Sequence, residues 1–366
     1  MMRILHVVSI LDIGGMESYI MNMYRRIDRT RIQFDFLVHH ARRGVFEDEI
    51  EALGGHVYHT TLLDDFNLPK YLKALMQLFR EHPEYKIVHG HLNSTALFYL
   101  GIAKRYGIRN RILHCHCPGK INTIKGNLKH AVSQFSPLHA NIRLACSTEA
   151  GKYLFKERSF EVTPNGVDAA HFRYKPDYRE EIRHRYGLKN RFVIGHVGRF
   201  YYEKNHEYIL EVFKKVKKQI ANAELMLLGE GQLMSSCKEK AQELGVAESV
   251  HFMGLIRDCA PYYHAMDVFM MPSLYEGLPL SGIEAQFASL PCLFSDTVSA
   301  EVSFSSEAHF LPIGEGNIDL WVNALTEIYQ RNIDRTAFKP YTDNFDAAVG
   351  TQKMVARYER LWECES

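Results

Sequence analysis

The sequence predicts an α/β protein made of two doubly wound domains, and three observations lead to that prediction. The chain has 366 residues, too long for one ordinary hydrophobic core and well suited to two domains of roughly 150 to 200 residues. Short β-branched runs alternate with longer amphipathic segments from end to end, as parallel strands and their crossover helices do. The segment 163–176, TPNGVDAAHFRYKP, interrupts this alternation. Its proline, Asn-Gly and aromatic residues predict a linker.

The predicted strands follow in order along both halves of the chain. The first half contains RILHVVS, IQFDFLV, KIVHGH, RILHCH and IRLACS, and the second contains FVIGHVG, ELMLLG, SVHFMG, DVFMMP and PCLFSD. Between them, stretches such as Leu92 to Arg105 and His206 to Ile220 have apolar residues at helical spacing. We therefore expect an N-terminal Rossmann-like domain over residues 1–165 and a C-terminal one over 166–344. A terminal helix over 345–366 is expected to pack back on the N-terminal domain.

Composition excludes several classes of protein. Hydrophobic residues make up 46% and charged residues 24% of the chain, as in a soluble globular enzyme. No apolar run approaches the ~18 residues that cross a bilayer, and the N-terminal MMRILHVVSILDIGG lacks the longer apolar region of a signal peptide. Seven scattered cysteines, an odd number without a repeating spacing, favour a reducing cytoplasm over a disulfide framework.

The net charge of +1 conceals an asymmetry between the two halves. Residues 1–165 hold 22 Lys/Arg and 15 Asp/Glu, whereas residues 166–366 hold 22 and 28. The basic excess is concentrated between Lys86 and Thr148, which contain nine Lys/Arg and no acid. Such a block is typical of a surface that faces phosphates, although a solvated face without a partner has the same pattern. Nucleic acid would also suit it, but no recognition motif accompanies it.

Two motifs that follow predicted strands suit a diphosphate. In DIGGMES, Gly14 and Gly15 allow a close backbone approach where a helix begins, but the spacing is not that of the G-x-G-x-x-G dinucleotide motif. In VGRFYYEKN, Arg199 and Lys204 follow the first strand of the second half. Two fixed cations at a strand end can bind a diphosphate and stabilise its charge as it leaves. Each motif alone is equally compatible with a tight turn or with surface cations.

The segment LYEGLPLSGIEAQ contributes two carboxylates to the same end of the predicted sheet. A helix is expected to begin near Leu280, with Pro279 just before or within its first turn, where a missing N–H costs little. Glu276 then lies in the loop and Glu284 one turn into the helix. Carboxylates accept hydrogen bonds from hydroxyls, so a ribose or a hexose is the expected partner. A metal pair is disfavoured, because no Asp or His lies at ligand spacing and the helix N-terminus favours anions.

The histidines of KIVHGH and RILHCH raise the question of a metal site. Alternate strand residues face opposite sides of a sheet, so the histidines and cysteines of HCHC cannot easily converge on one ion. We therefore predict no metal there. His89 and His91 either line an acceptor pocket or are structural.

Taken together, these motifs resemble those of retaining glycosyltransferases of family 4, which have the GT-B fold of two Rossmann-like domains facing a central cleft. The matches occur in order over nearly the whole chain. They are GGMES for G-G-x-E, TPNGVD at the linker, GRFYYEKNH for G-R-x(4)-K-x(2), LLGEG, VHFMG, DVFMMPSLYEGLPL, and the E-x7-E pair. The segments IEAQ, LPCLFSD and RILHCH are closer to transferases of bacterial capsular and exopolysaccharide synthesis. One departure is Ser289, which stands where the family usually has glycine.

The resemblance implies a role for each matched residue. Arg199 and Lys204 would hold the donor diphosphate, Glu276 the transferred sugar and Glu284 the ribose hydroxyls, and His116 would lie beside the reacting face of the sugar. The expected catalytic residues are therefore Arg199, Lys204, Glu276 and His116. The expected donor-binding residues are Gly14, Gly15, Glu284, Gly277, Leu278, Leu280, Ser281, Gly254, Leu255 and Ile256.

The implied reaction is transfer of a sugar from a nucleoside diphosphate sugar, a UDP-sugar above all, to a hydroxyl of a glycan or polyprenyl-diphosphate-linked acceptor. The family's usual description is front-face attack without a metal or other cofactor. Residues 119–143 mix apolar and basic side chains, as an interfacial segment does. We expect a cytoplasmic enzyme held peripherally on the anionic inner face of the cell membrane.

Two other functions remain open at this point. A sugar-nucleotide epimerase shares the architecture and would turn over without an acceptor. A non-catalytic partner of another transferase would bind UDP and transfer nothing, although the intact set of two cations and two carboxylates disfavours it. The donor sugar, the linkage and the oligomeric state do not follow from the sequence.

Overall fold

A computed structural model describes residues 1–12, 14–61, 67–116 and 133–363. The chain divides into two compact units, residues 1–166 with 343–366 and residues 167–342. The expected boundary after Asn165 lies one residue before the observed division. The C-terminal segment belongs to the first unit, and its helix spans Ala347–Glu363.

The first unit is a seven-stranded parallel sheet with helices between its strands. The strands are β1 Met2–Val7, β2 Ile32–Val38, β3 Val57–His59, β4 Ile87–Gly90, β5 Asn110–Cys115, β6 Ile142–Ala145 and β7 Glu161–Val162. The α-helices of the described part of residues 1–166 are α1 Gly15–Arg26, α2 Glu47–Ala52, α3 Leu68–Glu81, α4 Ala96–Arg105 and α5 Thr148–Phe155.

The order of the strands gives this sheet a reversal point, where successive strands stop being added on one side of β1 and start being added on its other side. The order is β3-β2-β1-β4-β5-β6-β7, and every pair is parallel. Because β1 lies beside both β2 and β4, the loops that follow β1 and β4 diverge to opposite faces. Open α/β sheets bind ligands at such a point, outside the carboxyl ends of the strands.

The second unit repeats this plan with six strands. They are β8 Phe192–Val197, β9 Ala223–Leu228, β10 Val250–Gly254, β11 Val268–Met271, β12 Cys292–Ser295 and β13 Ala308–Leu311. Its helices are α6 Ala169–Phe172, α7 Pro176–Arg185, α8 His206–Gln219, α9 Met234–Glu243, α10 Ala260–Ala265, α11 Leu280–Phe287 and α12 Ile318–Arg331, and the helix Ala347–Glu363 of the first unit is α13. The sheet order is β10-β9-β8-β11-β12-β13. The reversal point therefore lies between β8 and β11.

Both sheets are buried on their two faces, as parallel sheets require. In the first unit, Tyr358 and Met354 of α13 pack into the same core as β1, β2 and α1. In the second, Trp321 of α12 packs with the apolar face of α8 against β8 and β9. All ten predicted strands are present. The three unpredicted strands, β3, β7 and β13, are short and lie at sheet edges.

Among the described helices, none combines the length and apolar character that a bilayer crossing requires. Most of the basic segment 119–143 lies outside the described residues. Two cations of the wider basic block are used inside the first unit. Arg111 donates to the carbonyl oxygens of His139 and Ile108, and Arg143 Nη2 donates to Ala140 O at 3.3 Å.

Candidate active site

Three of the expected catalytic residues lie at the reversal point of the second unit. Arg199 and Lys204 follow β8, and Glu276 lies between β11 and α11. Strands β8 and β11 are hydrogen-bonded neighbours, with Val268 opposite Ile194. Residues that are 72 positions apart in the chain therefore meet at the same sheet edge.

Lys204 and Glu276 form an ion pair there. Lys204 Nζ donates to Glu276 Oε1, and only 15% and 13% of the two side chains is exposed. The same carboxylate oxygen accepts a hydrogen bond from Ser273 Oγ at 3.0 Å. The Glu276 backbone is fixed by a parallel bridge to Val298. The structure thus brings together two of the four expected catalytic residues.

Arg199 is the cation of this site that has no acidic partner among the described residues. Its side chain is exposed, its guanidinium lies 4.9 Å from the centre of the Tyr201 ring, and it makes no ion pair with another described residue. The adjoining backbone is closely packed. A Cβ on Gly229, whose φ is +136°, would lie 2.1 Å from Gly198 O. Only glycine at this position of LLGEG allows that approach.

Glu284 lies on the buried side of α11. Tyr263 Oη donates to Glu284 Oε2 at 2.8 Å and also to Ser281 O at 3.1 Å. Burial raises the pKa of the Glu284 carboxyl to about 7, and the hydrogen bond from Tyr263 and the nearby His171 only partly offset that rise. At neutral pH a substantial fraction of Glu284 is therefore protonated in the unliganded chain.

The other expected donor-binding residues of the second unit lie in α11, in the loop that precedes it, and at and after the end of β10. Helix α11 begins at Leu280 as predicted, and Pro279 before it provides no side-chain cap for the first amides, including that of Ser281. Gly277 and Leu278 form the loop that enters the helix. After β10, Gly254 has a φ of +68° and its carbonyl accepts from Gly229 N at 2.9 Å. Leu255 beyond it is 54% exposed, and Ile256 follows.

In the first unit, Gly14 and Gly15 lie at the start of α1, after β1. Gly14 precedes the helix in an extended conformation, with φ of −157°. A Cβ on Gly14 would lie 2.4 Å from Glu17 Oε2. The carboxylate of GGMES therefore occupies the space that a side chain at Gly14 would fill. In the unliganded chain, the close approach that Gly14 permits is made by Glu17.

His116 differs from the expected sugar-facing role in its hydrogen bonding. Asn165 Oδ1 accepts from His116 Nδ1 at 2.9 Å, which leaves His116 Nε2 to accept from His91 Nδ1 at 2.8 Å. Burial lowers the pKa of the His116 imidazole to about 4, so the ring is neutral. Both ring nitrogens are occupied within the protein. His116 can meet a sugar through a nitrogen only if one of these bonds breaks.

His116 belongs to a larger group of buried histidines that the sequence analysis did not assemble. His91 Nε2 accepts from His6 Nδ1 at 3.0 Å. His114 and His89 are joined at 3.3 Å, and His89 Nδ1 accepts from Tyr358 Oη at 2.6 Å. The signal that could have found this group is the recurrence of H-x-H at the ends of two strands. Tyr263 and Ser273, which contact the two glutamates, carried no recognisable signal.

Two Rossmann-like units, with cations and carboxylates at the reversal point of the second, are the features of a glycosyltransferase of the GT-B class. The family described as "Glycosyl transferases group 1" matches residues 178–345, and "Glycosyltransferase Family 4" matches residues 13–171. The chain therefore belongs to the family 4 glycosyltransferases, whose two halves these models describe, and it is a glycosyltransferase enzyme.

The most informative relatives agree with that assignment. EpsF of Bacillus subtilis (strain 168), named as a glycosyltransferase, is 30% identical over 82% of this chain and 80% of its own. UDP-Gal:alpha-D-GlcNAc-diphosphoundecaprenol alpha-1,3-galactosyltransferase of Escherichia coli is 27% identical over 89% and 87%. Relatives named for capsular polysaccharide biosynthesis place the chain among the transferases that make such polymers.

The fold is also that of known structures. Anabaena HepE in complex with UDP and glucose superposes with a TM-score of 0.82 at 16% identity, covering 98% of this chain and all of that one. The GT-B fold expected from the sequence is confirmed.

Proposed function

We propose that this enzyme transfers a sugar from a UDP-sugar to a hydroxyl of a lipid-diphosphate-linked glycan, with retention of the anomeric configuration and without a metal ion at the donor. The observation that carries the proposal is the partly buried Lys204–Glu276 pair at the reversal point of the second unit. A nucleotide sugar offers a diphosphate to the ammonium and hydroxyls to the carboxylate. It can therefore satisfy both partners when it enters between them.

In the proposed reaction, the bond between the sugar C1 and the diphosphate oxygen breaks while the acceptor oxygen bonds to C1 on the same face. The departing diphosphate oxygen takes the acceptor's proton. Lys204, Arg199 and the first amides of α11 stabilise the negative charge that grows on the diphosphate. Glu276 holds a hydroxyl of the transferred sugar, and Glu284 holds the ribose.

The comparisons support the donor and the acceptor in this proposal. HepE was crystallised with UDP and glucose. The E. coli relative is named for a UDP-galactose donor and a diphosphoundecaprenol-linked acceptor. Because a lipid-linked acceptor lies in a membrane, we also propose that the basic segment 119–143 holds the enzyme on anionic lipid. Vesicle flotation that shows no preference for anionic over neutral lipid would contradict that part.

The first experiment is a screen of UDP-, GDP- and ADP-sugars for thermal stabilisation, followed by transfer to polyprenyl-diphosphate-linked sugars in the presence of EDTA. We expect one UDP-sugar to stabilise the wild type and to be transferred. Lys204→Met should lower kcat/KM by about 10²- to 10³-fold, because it removes a charge aimed at the leaving group. The matched control is Lys215→Met, which removes an exposed lysine paired with Asp319 in the same unit and should change little.

Each alternative predicts a different outcome. Turnover of the nucleotide sugar to its epimer without an acceptor would identify an epimerase. Binding of UDP without transfer to any acceptor would identify a non-catalytic partner. The anomeric configuration of the product, read by NMR, tests retention, and activity that EDTA abolishes would contradict the metal-free donor site.

A further inference from the structure

The histidines at the carboxyl ends of three neighbouring strands lie on one face of the first sheet. His6 of β1 is paired with His89 of β4, and His89 is paired with Ile112 of β5. Since residues two apart in a strand face the same side, these registers bring the members of the two H-x-H motifs together with His6. The five histidines are His6, His89, His91, His114 and His116, and the first four are almost fully buried.

Three of these rings have the spacing of metal ligands. One ring nitrogen from each of His91, His114 and His116 lies within 4.8 Å of the corresponding atoms of the other two. The closest pair, His91 Nδ1 and His116 Nε2, is 2.8 Å apart. Nitrogens that share one ion at about 2.0 to 2.1 Å lie at comparable separations from one another.

The opposite nitrogen of each of these rings already has a partner. His116 Nδ1 contacts Asn165 Oδ1 at 2.9 Å, and His114 Nε2 contacts Thr163 O at 3.3 Å. His91 Nε2 contacts His6 Nδ1 at 3.0 Å. In metal sites, the non-ligating nitrogen of a histidine is almost always held in this way, because the outer hydrogen bond fixes the ring and its tautomer.

We propose that His91, His114 and His116 form a binding site for a divalent transition metal ion of the zinc type. Three imidazole nitrogens suit Zn²⁺, Co²⁺, Ni²⁺ or Cu²⁺, whereas Mg²⁺ and Ca²⁺ require oxygen ligands. His116 reaches the surface in part, so a water or another oxygen ligand can complete four-coordination. All three ligands belong to the first unit, whereas the proposed donor diphosphate site, at which no metal is expected, is built from residues of the second.

Without an ion, His91 Nδ1 and His116 Nε2 share one proton in a hydrogen bond. A metal ion needs a lone pair on both nitrogens, so that proton must leave the pair. The His91 proton can move to Nε2, while His6 becomes protonated on its own Nε2, which makes no hydrogen bond to any described residue. The His114 lone pair on Nδ1 must likewise be released from its 3.3 Å hydrogen bond with His89 Nε2. Binding therefore exchanges the His91–His116 and His89–His114 hydrogen bonds for metal bonds, and the rings remain neutral.

The sequence predicts no metal here, because His114 and Cys115 face opposite sides of one strand. The two side chains do diverge, since Cys115 Sγ accepts from Asn93 Nδ2 at 3.5 Å instead of joining the rings. The third imidazole comes from the end of the neighbouring strand β4.

The test uses full-length, tag-free protein stripped with a chelator and titrated with Co²⁺, whose visible absorption reports nitrogen coordination. We expect one Co²⁺ per chain, with displacement by Zn²⁺ confirmed by elemental analysis. His91→Gln and His114→Gln should each lose this uptake. The matched control is His39→Gln, because His39 is equally buried in the same unit but is bonded to Tyr71 Oη and Val8 O.

A second measurement needs no variant, and so it remains decisive if the substituted chains do not fold. X-ray absorption at the zinc edge of the loaded wild type should show about three imidazole nitrogens and no sulfur. No metal uptake by the wild type, a sulfur neighbour, or equal uptake by His91→Gln and the wild type would each overturn the proposal.

Discussion

The two units have the same topology at their reversal points but opposite chemistry. In the second unit, the carboxyl ends of β8 and β11 present charged groups, with Lys204 paired to Glu276 and Arg199 exposed. In the first unit, the ends of β1, β4 and β5 present neutral imidazoles bonded to one another. The same position in the fold therefore presents charged groups in one unit and a buried network of neutral polar groups in the other.

The difference shows which hydrogen-bonding groups of each unit are still available to a ligand. The cations of the second unit have donor hydrogens available to an anion, since Arg199 makes no ion pair within the described residues. Nearly every ring nitrogen of the first unit is already satisfied, so the network can act on a ligand only by exchanging a partner. A buried polar network in which nearly every group is satisfied fixes one arrangement of its members. We interpret the charged groups of the second unit as a site for reversible binding and the imidazole network of the first unit as a scaffold.

The largest effect that separates these two roles is expected from Tyr358→Phe. The hydroxyl of Tyr358 donates to His89 Nδ1 at 2.6 Å inside the core. Its removal leaves a buried acceptor unpaired, which costs about 1 to 3 kcal/mol. We expect the free energy of unfolding of the first unit to fall by that amount in urea, while UDP affinity at the second unit stays unchanged.

The matched control is Tyr329→Phe, which removes the hydroxyl of a tyrosine that is 41% exposed and should alter stability by less than about 0.5 kcal/mol. If Tyr358→Phe leaves stability intact but weakens UDP binding, the network is not a scaffold and the contrast between the units fails.

A smaller effect is expected from pH at Glu284. Burial raises the pKa of this carboxyl to about 7, against 4.5 for an ordinary glutamate, with the Tyr263 hydroxyl and His171 lowering it and Asp258 raising it. Only the carboxylate accepts hydrogen bonds from both ribose hydroxyls. The affinity for UDP should therefore increase as pH rises from 6 to 8, by up to about tenfold. Titration calorimetry across this range measures it.

The control for this pH dependence is Glu284→Gln. This variant should bind UDP more weakly than the wild type at pH 8, and its UDP affinity should lack the part of the pH dependence that Glu284 contributes.

The stability of the unliganded chain should change with pH in the opposite direction to its UDP affinity. Because the folded pKa is raised, ionisation between pH 4.5 and about 7 destabilises the folded state. Glu284→Gln should thus stabilise the free protein at pH 8 and not at pH 4. If UDP affinity depends on pH equally in the wild type and in Glu284→Gln, a group other than Glu284 titrates.

The sequence predicted the second unit better than the first for a physical reason. Lys204 and Glu276 each lie in a short motif beside a strand, and strand adjacency alone brings them together. The histidine network depends on the register of three strands, which sets whether His6 meets His89 or faces away from it. Strand registers in parallel sheets are set by packing across the whole domain, so a local pattern does not encode them.

The strands that the sequence did not predict illustrate the same limit. Strands β3, β7 and β13 contain two to four residues and have one neighbour each. Segments this short carry too little hydrophobic alternation to be distinguished from loops. Glu284 shows a related limit, since nothing in its motif indicates the Tyr263 hydroxyl on another helix that orients it.

The smallest effect is expected at Ser289, where the sequence departs from the family glycine. Ser289 has a φ of +59° and is 2% exposed, just beyond the end of α11, which carries Glu284. A side chain in this left-handed conformation is strained, and the position after a helix end is where glycine is preferred. Ser289→Gly should therefore stabilise the protein by about 0.5 to 1 kcal/mol, or roughly 2 °C in Tm.

The matched control is Asn332→Gly, which alters another left-handed residue at the end of a helix, with φ of +45°. Asparagine tolerates this conformation, so this change should be close to neutral. If Ser289→Gly raises Tm and leaves UDP affinity unchanged, the strain at the end of α11 is independent of the site that the helix carries. A loss of UDP affinity in the stabilised variant would instead mean that the strained turn positions Glu284, so that binding in the second unit would depend on strain in its scaffold.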